Sequence, residues 1–183
     1  MKTKNIKLTI YIFLFLITFF NSILKANTIL FESENLKIEE KENLVFSEKG
    51  TAKIPSQKIT IVGDRFIYNK LISELVIIGN VKFIDNLNNV SIDSEKATYY
   101  ELENIVLTNG NTFIDYNNKY EMISKNILFN RNSMKMSSEL DTSIFDKKKN
   151  IFNFKEGFLF DSVEEIISSD KTNIIDSDYN EYI

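Results

Sequence analysis

Residues 59–85 read ITIVGDRFIYNKLISELVIIGNVKFID, and residues 90–116 read VSIDSEKATYYELENIVLTNGNTFIDY. Laid over one another, the two stretches agree in phase. Ile59 falls on Val90, Ile61 on Ile92, Phe66 on Ala97, Tyr68 on Tyr99, Leu75 on Val106, Gly79 on Gly110 and Phe83 on Ile114. Within each stretch the apolar residues recur at every second position, the period of a strand with one face turned inward. The residues that fill these positions are β-branched or aromatic, as a half-buried pleated surface favours. Helical spacing is not sustained anywhere after residue 30.

The same phase extends in both directions. Ile38, Tyr68, Tyr99, Phe129 and Phe160 stand 30 or 31 residues apart, with Leu36, Phe66, Ala97, Ile127 and Phe158 two places before them. Earlier in each unit come Ile29, Ile59, Val90, Tyr120 and Ile151, then Phe31, Ile61, Ile92 and Met122, with Asn153 breaking the column. Later come Phe46, Leu75, Val106, Met136 and Ile166; Ala52, Val81, Thr112, Thr142 and Thr172; and Ile54, Phe83, Ile114, Ile144 and Ile174. Five copies in register make a repeat architecture. Each unit reads as three short strands, residues 59–62, 64–69 and 74–84 in the second copy, separated by polar turns such as Asn86 to Asn89. The repeated glycine lies inside a strand pattern, where it marks a bulge, a bend or a close backbone approach. The fold class expected is all-β: an elongated antiparallel domain of about five 30-residue repeats, curled so that its apolar columns face each other.

Composition removes whole classes of chemistry. The 183 residues include no Cys, no His and one Pro. There is therefore no disulfide framework, thiol nucleophile, Ser-His-Asp triad or ordinary His-bearing metal site, and the reading assigns no metal and no cofactor.

The N-terminus is set apart from the repeats. Lys2, Lys4 and Lys7 precede an apolar run from Leu8 to Phe20, too short for a bilayer span and suited to an export signal with Ala26 at its cleavage point. An uncleaved N-terminal anchor is the alternative. Residues 1–26 are thus read as a signal peptide or anchor and 27–183 as the β-repeat domain. Without the first 26 residues the 22 Lys and Arg fall to 18 while all 26 acids remain, a net charge of −8. So acidic a domain repels nucleic acid.

The polar constellations are weaker. Asp85, Asp93, Asp115 and Asp146 recur near turns but lack a Gly-rich calcium loop, so they read as solvated turn acids. Tyr99-Tyr100 and Phe158 to Phe160 read as core rather than as a sugar-stacking platform, and Lys147 to Lys149 as a solvated turn.

The wording of the repeat is more specific than its period. Asp64, Phe66, Tyr68, Gly79, Asn80, Val81 and Phe83, and again Glu95, Ala97, Tyr99, Gly110 and Asn111, resemble the OstA-like lipopolysaccharide-transport family. That family includes the periplasmic bridge protein LptA and the N-terminal periplasmic domain of the outer-membrane protein LptD. The resemblance spans residues 29–178; Leu140 and Asp170 stand where the glycine recurs, and Phe129 and Phe160 where the tyrosine does. It implies a β-jelly-roll, or β-taco, whose apolar trough holds lipid A acyl chains. Residues facing that trough would be Ile59, Ile61, Phe66, Tyr68 and Leu75; Val81, Phe83, Val90, Ile92 and Tyr99; and Val106, Ile114, Met122, Phe129 and Ile144. It also implies lipopolysaccharide as ligand, other OstA-like domains as partners through end-to-end strand pairing, outer-membrane assembly machinery, and a periplasmic location associated with the outer membrane. The acidic outer surface leads to the expectation that divalent cations or rim lysines such as Lys82 moderate repulsion of an anionic headgroup.

Three functions from different classes compete. The first is non-catalytic lipid transfer. The second is an exported structural scaffold with a close-packed, empty interior. The third, a carbohydrate-active enzyme, needs paired carboxylates, and the inward columns hold acids only at Glu48 and Asp170; the chain is expected not to be an enzyme. Tyr182 falls in the phase of a sixth opening strand, and the third and fourth copies (KYEMISKNILFNRNSMKMSS) have drifted. Both lead to the expectation of an LptD-like N-terminal portion lacking its barrel, with a free-standing LptA-like bridge as the alternative.

Overall fold

The computed structural model describes residues 28–169, 172–175 and 180–182. The export segment expected over residues 1–26 lies outside them, as does Asp170. Among the described residues, fifteen strands form one antiparallel sheet: β1 (Leu30–Glu39), β2 (Leu44–Ile54), β3 (Ile59–Asn69), β4 (Glu74–Asp85), β5 (Val90–Tyr100), β6 (Ile105–Tyr116), β7 (Tyr120–Lys125), β8 (Leu128–Asn130), β9 (Lys135–Ser138), β10 (Thr142–Asp146), β11 (Ile151–Phe154), β12 (Phe158–Asp161), β13 (Ile166–Ser168), β14 (Thr172–Ile175) and β15 (Glu181–Tyr182). Two 3-10 turns, Glu40–Glu42 and Pro55–Gln57, are the helical elements among the described residues.

Through β6 the three-strand unit expected from sequence is instead two long strands, each bent once. Residues 59–62 and 64–69 belong to one continuous strand, β3, whose buried positions shift from 59, 61 and 63 to 66. The parity break at Gly63–Asp64 is a corner. On β4 and β6 the corner takes an extra residue, so the register with their neighbours shifts at Ile78/Val81 and Ser94/Lys96. Gly79 (φ +78°) and Gly110 (φ +90°) occupy those bulges in the left-handed region open to glycine. The acid at the preceding strand's corner holds each bulge: Asn80 donates to Asp64 Oδ2 at 2.9 Å and Asn111 to Glu95 Oε1 at 2.8 Å. This pairing accounts for the recurrence of an acid, a Gly and an Asn in the two best copies.

Because every long strand bends at the same place, the sheet folds over along a crease into two leaves. The upper leaf holds the ladder Phe31–Ala52–Ile61–Phe83–Ile92–Ile114–Met122–Ile144–Phe152, each residue the register partner of the next. The lower leaf holds Ile38–Val45–Tyr68–Leu75–Tyr99–Val106–Phe129–Met136–Phe160–Ile167. From β7 onward the strands end at the crease, so β10 and β11 belong to the upper leaf, and β8, β9, β12 and β13 to the lower.

Two members of one column read from sequence are each corrected by one residue. Val45, not Phe46, and Ile167, not Ile166, continue the lower ladder. Every lower-leaf hairpin keeps a four-residue turn whose last residue (Asn43, Ser73, Asn104, Met134 and Glu165) has φ between 52° and 56°. Hairpin geometry therefore sets the register. Counting from the corner, where β2 lacks the extra residue of β4 and β6, loses it.

Candidate functional site: the space between the leaves

The inner faces of the leaves meet through an aromatic spine. Phe31 packs edge-on against Phe66 (ring centroids 6.0 Å apart), as do Tyr116 and Tyr120 against Phe160 (5.6 and 5.5 Å), while Phe83 meets Tyr99 at a tilt (5.7 Å). In each pair one ring comes from the upper leaf and the other from the lower. Burial of such side chains contributes roughly 1.5–3 kcal/mol each, and edge-to-face contact adds to it.

All fifteen residues expected to face the trough lie on these inner faces. Ile61, Phe83, Ile92, Ile114, Met122 and Ile144 form the upper ladder, with Ile59 and Val90 nearer the strand ends and Val81 nearer the crease. Tyr68, Leu75, Tyr99, Val106 and Phe129 form the lower ladder, with Phe66 beside it. All are buried except Tyr68, which is half-buried. Their side chains pack against each other as one apolar cluster. A cleft of 790 Å³ opens elsewhere, at the crease ends of β7, β10 and β11, lined by Ile123, Lys125, Leu140, Thr142, Asn153 and Phe154 among others.

The ladders are open at the β1 end. Leu36 and Ile38 carry the inward parity yet are each 51% exposed, with no cover from the upper leaf among the described residues. The sequence placed both in the core; the edge strand leaves them uncovered. Polarity changes towards the crease, where a run of buried hydroxyls replaces the hydrocarbon. Ser94 and Thr112 are hydrogen-bonded (3.2 Å), Thr112 donates to Thr108 (2.8 Å), and Ser124 pairs with Thr142 (2.6 Å). These bonds satisfy groups that would be expensive to bury alone.

Sequence reasoning missed an inward charge pair. Asp85, expected as a solvated turn acid, is fully buried, and Arg131 is 8% exposed. Arg131 Nε donates to Asp85 Oδ2 at 2.6 Å, and its Nη1 reaches Gln57 Oε1 (2.7 Å) and Asn104 Oδ1 (2.9 Å). Asp85 also accepts from the Leu87 and Asn88 amides and from the Asn88 side chain. The missed signal was parity: Asp85 lies two places after Phe83 and pairs with Ile59 and Val90. Glu48, read as an inward acid, is exposed. Tyr99 reaches the same cluster, its hydroxyl 3.1 Å from Asn104 Oδ1. Burial pushes the Tyr99 hydroxyl up to about 12, against the opposing pull of Arg131. Burial and the hydrogen bond from Tyr68 to Glu101 (3.0 Å) push Tyr68 up to about 12 as well.

Among the described residues no group of His, Cys, Asp and Glu side chains could hold a metal ion, and no helix is long and apolar enough to cross a membrane. No protein-family model matches the sequence, and no curated protein matches it. Among solved structures, the chain is similar to LptH of Pseudomonas aeruginosa, described as the LptA homologous periplasmic component of the conserved lipopolysaccharide transport device. The superposition has a TM-score of 0.48 at 10% identity and covers 78% of this chain and 82% of that one. At that identity and score the likeness carries no residue role across to this chain.

Proposed function

We propose that the chain is a non-catalytic lipid-binding module, exported to the periplasm, that accepts lipopolysaccharide by its acyl chains between the two leaves and passes it toward the outer membrane. The observation that carries this reading is the pair of apolar ladders, which face one another across the interior with a compensated Asp85–Arg131 charge pair at their edge. An acyl chain in such a space gains about 0.8 kcal/mol per buried methylene without any catalytic group. The resemblance of the Asp64/Gly79/Asn80 and Glu95/Gly110/Asn111 segments to the OstA-like family supports lipopolysaccharide as the lipid. The drifted third and fourth copies favour the N-terminal periplasmic part of an LptD-like assembly protein over a free-standing LptA-like bridge. Partners under this reading are other OstA-like domains, paired end to end, and the outer-membrane assembly machinery.

One observation favours a second reading. Phe83, Tyr99, Phe129 and Phe160 have no exposed surface, as in a ligand-free scaffold whose interior is already filled. Solvent extraction of the protein purified from a lipopolysaccharide-producing host, followed by mass spectrometry, separates the two. Lipid A species recovered in stoichiometric amount support transfer; an empty protein supports the scaffold. A photo-crosslinking residue at Phe83 should capture lipid in cells, and capture from Lys82 without capture from position 83 would overturn the assignment of the interior as the site.

A further inference from the structure

The leaves are joined differently along their two long sides. At the crease the backbone is continuous through β1 to β6. Along the opposite rim, where strand ends from both leaves converge, successive turns bond to each other within a leaf. In the lower leaf Lys70 N donates to Asn43 O, Glu101 N to Ser73 O and Arg131 N to Asn104 O. In the upper leaf Asn86 N donates to Lys58 O and Asn117 N to Asn89 O. The bonds that cross the rim are made by side chains. The buried Asp85–Arg131 pair joins the end of β4 to the β8–β9 turn, and Gln57 ties the β2–β3 turn into the same cluster. Further along, Tyr116 donates to Ser162 O (3.4 Å) and Lys119 Nζ to Glu165 Oε1 (2.6 Å), each from the upper leaf to the β12–β13 turn.

Parting the leaves at the rim thus leaves every ladder hydrogen bond intact. It breaks a few side-chain clasps and separates apolar faces that a lipid chain would cover again. The buried pair resists strongly while closed, because each charge loses its partner in a dry setting. Once the rim parts, water reaches both ions and that penalty falls. Opening therefore exchanges a dry ion pair for two hydrated charges, so its electrostatic cost falls as the rim parts.

We propose that this rim is a lateral gate through which acyl chains reach the interior, and that Asp85 and Arg131, clamped by Gln57 and Asn104, form its latch. The inference rests on the lipid-binding reading above and adds the route and the groups that control it.

The chain has no native cysteine, so the gate can be locked cleanly. Leu87 and Asn132 line a shared cleft beside the latch, one from each leaf. The L87C/N132C variant, bridged with a short bismaleimide, should take up pyrene-labelled hexadecanoic acid at least about tenfold more slowly than the same variant left unbridged. Asp85→Asn keeps the shape and removes the charge, and should speed uptake several-fold over the unsubstituted protein. Equal uptake by bridged and unbridged protein, with Asp85→Asn unchanged, would overturn the gate and leave lipid binding standing. No uptake by any form, including the unsubstituted protein, would overturn the lipid reading and the gate with it. Should Asp85→Asn fail to fold, the bridged against unbridged comparison decides alone.

Discussion

At the scale of single residues, the two perturbed tyrosines tie the interior to a measurable titration. Tyr99 is buried, its hydroxyl bonded to Asn104, and Tyr68 is half-buried beside the Glu101 carboxylate; burial pushes each hydroxyl up from its ordinary value near 10 to about 12. A raised value means that the folded protein holds these protons more tightly than the unfolded chain does. Their contribution to stability is therefore complete below pH 10 and is lost as the pH rises through 12. Of the eight tyrosines in the chain, these two should stay out of the main phenolate absorbance step and ionise near pH 12 together with unfolding. Tyr99→Phe and Tyr68→Phe should each remove part of that late step and leave the main one alone. A single step near pH 10 with the fold retained would contradict the packing of the spine. Asp85 shows how a residue can be invisible to composition and plain to parity: its acid nature suggested a turn, while its place two after Phe83 put it inside.

At the scale of the strand, the decisive element is the corner. Gly110 sits at φ +90°, and a β-carbon there would lie 2.6 Å from Glu95 Oε2, the carboxylate that accepts from Asn111. Gly110→Ala combines backbone strain with loss of that bond, and should destabilise by about 1–3 kcal/mol. The check is a shift of the urea midpoint at unchanged slope; a shift within experimental error would mean that the bulge is not what turns the strand. The corner also marks how far the sequence can be read. Period and phase set out the inner faces well, because a β ladder carries its parity across hydrogen-bonded partners and each copy repeats the same choice. The bend itself was hidden. Nothing in IVGDRF states that Gly63 and Asp64 belong to one continuous strand, and a parity break reads equally well as the end of one strand and the start of another. The one-residue error at Phe46 has the same origin, since β2 lacks the extra corner residue of β4 and β6; at Ile166 the four-residue turn after Asp161 makes Ile167, not Ile166, the partner of Phe160. Leu36 and Ile38 were misplaced for a different reason: burial at an edge depends on what covers it, which periodicity does not encode.

At the scale of the whole molecule, the strands change character along the chain. β3 to β6 have 11 or 12 residues and run unbroken through the crease, so one leaf cannot unravel there without straining the other. From β7 on, the strands stop at the crease and shorten, to three residues in β8 and β13 and four in β9 and β12. In a repeat protein each unit is held mainly by its neighbours, so this change should divide the molecule into a firm centre and a softer far end. Hydrogen exchange resolved by mass spectrometry should find the amides of residues 59–116 slowest, and those of residues 158–168 exchanging at least about a hundredfold faster through local opening. The Lys119–Glu165 clasp is exposed and contributes little, so Lys119→Ala should leave this order intact. Equal protection of residues 90–100 and 158–168 would show that the leaves open as one cooperative body. Faster exchange confined to the short-strand end would instead mean that the rim yields there first, with the Asp85–Arg131 contact standing at the boundary of the firm centre.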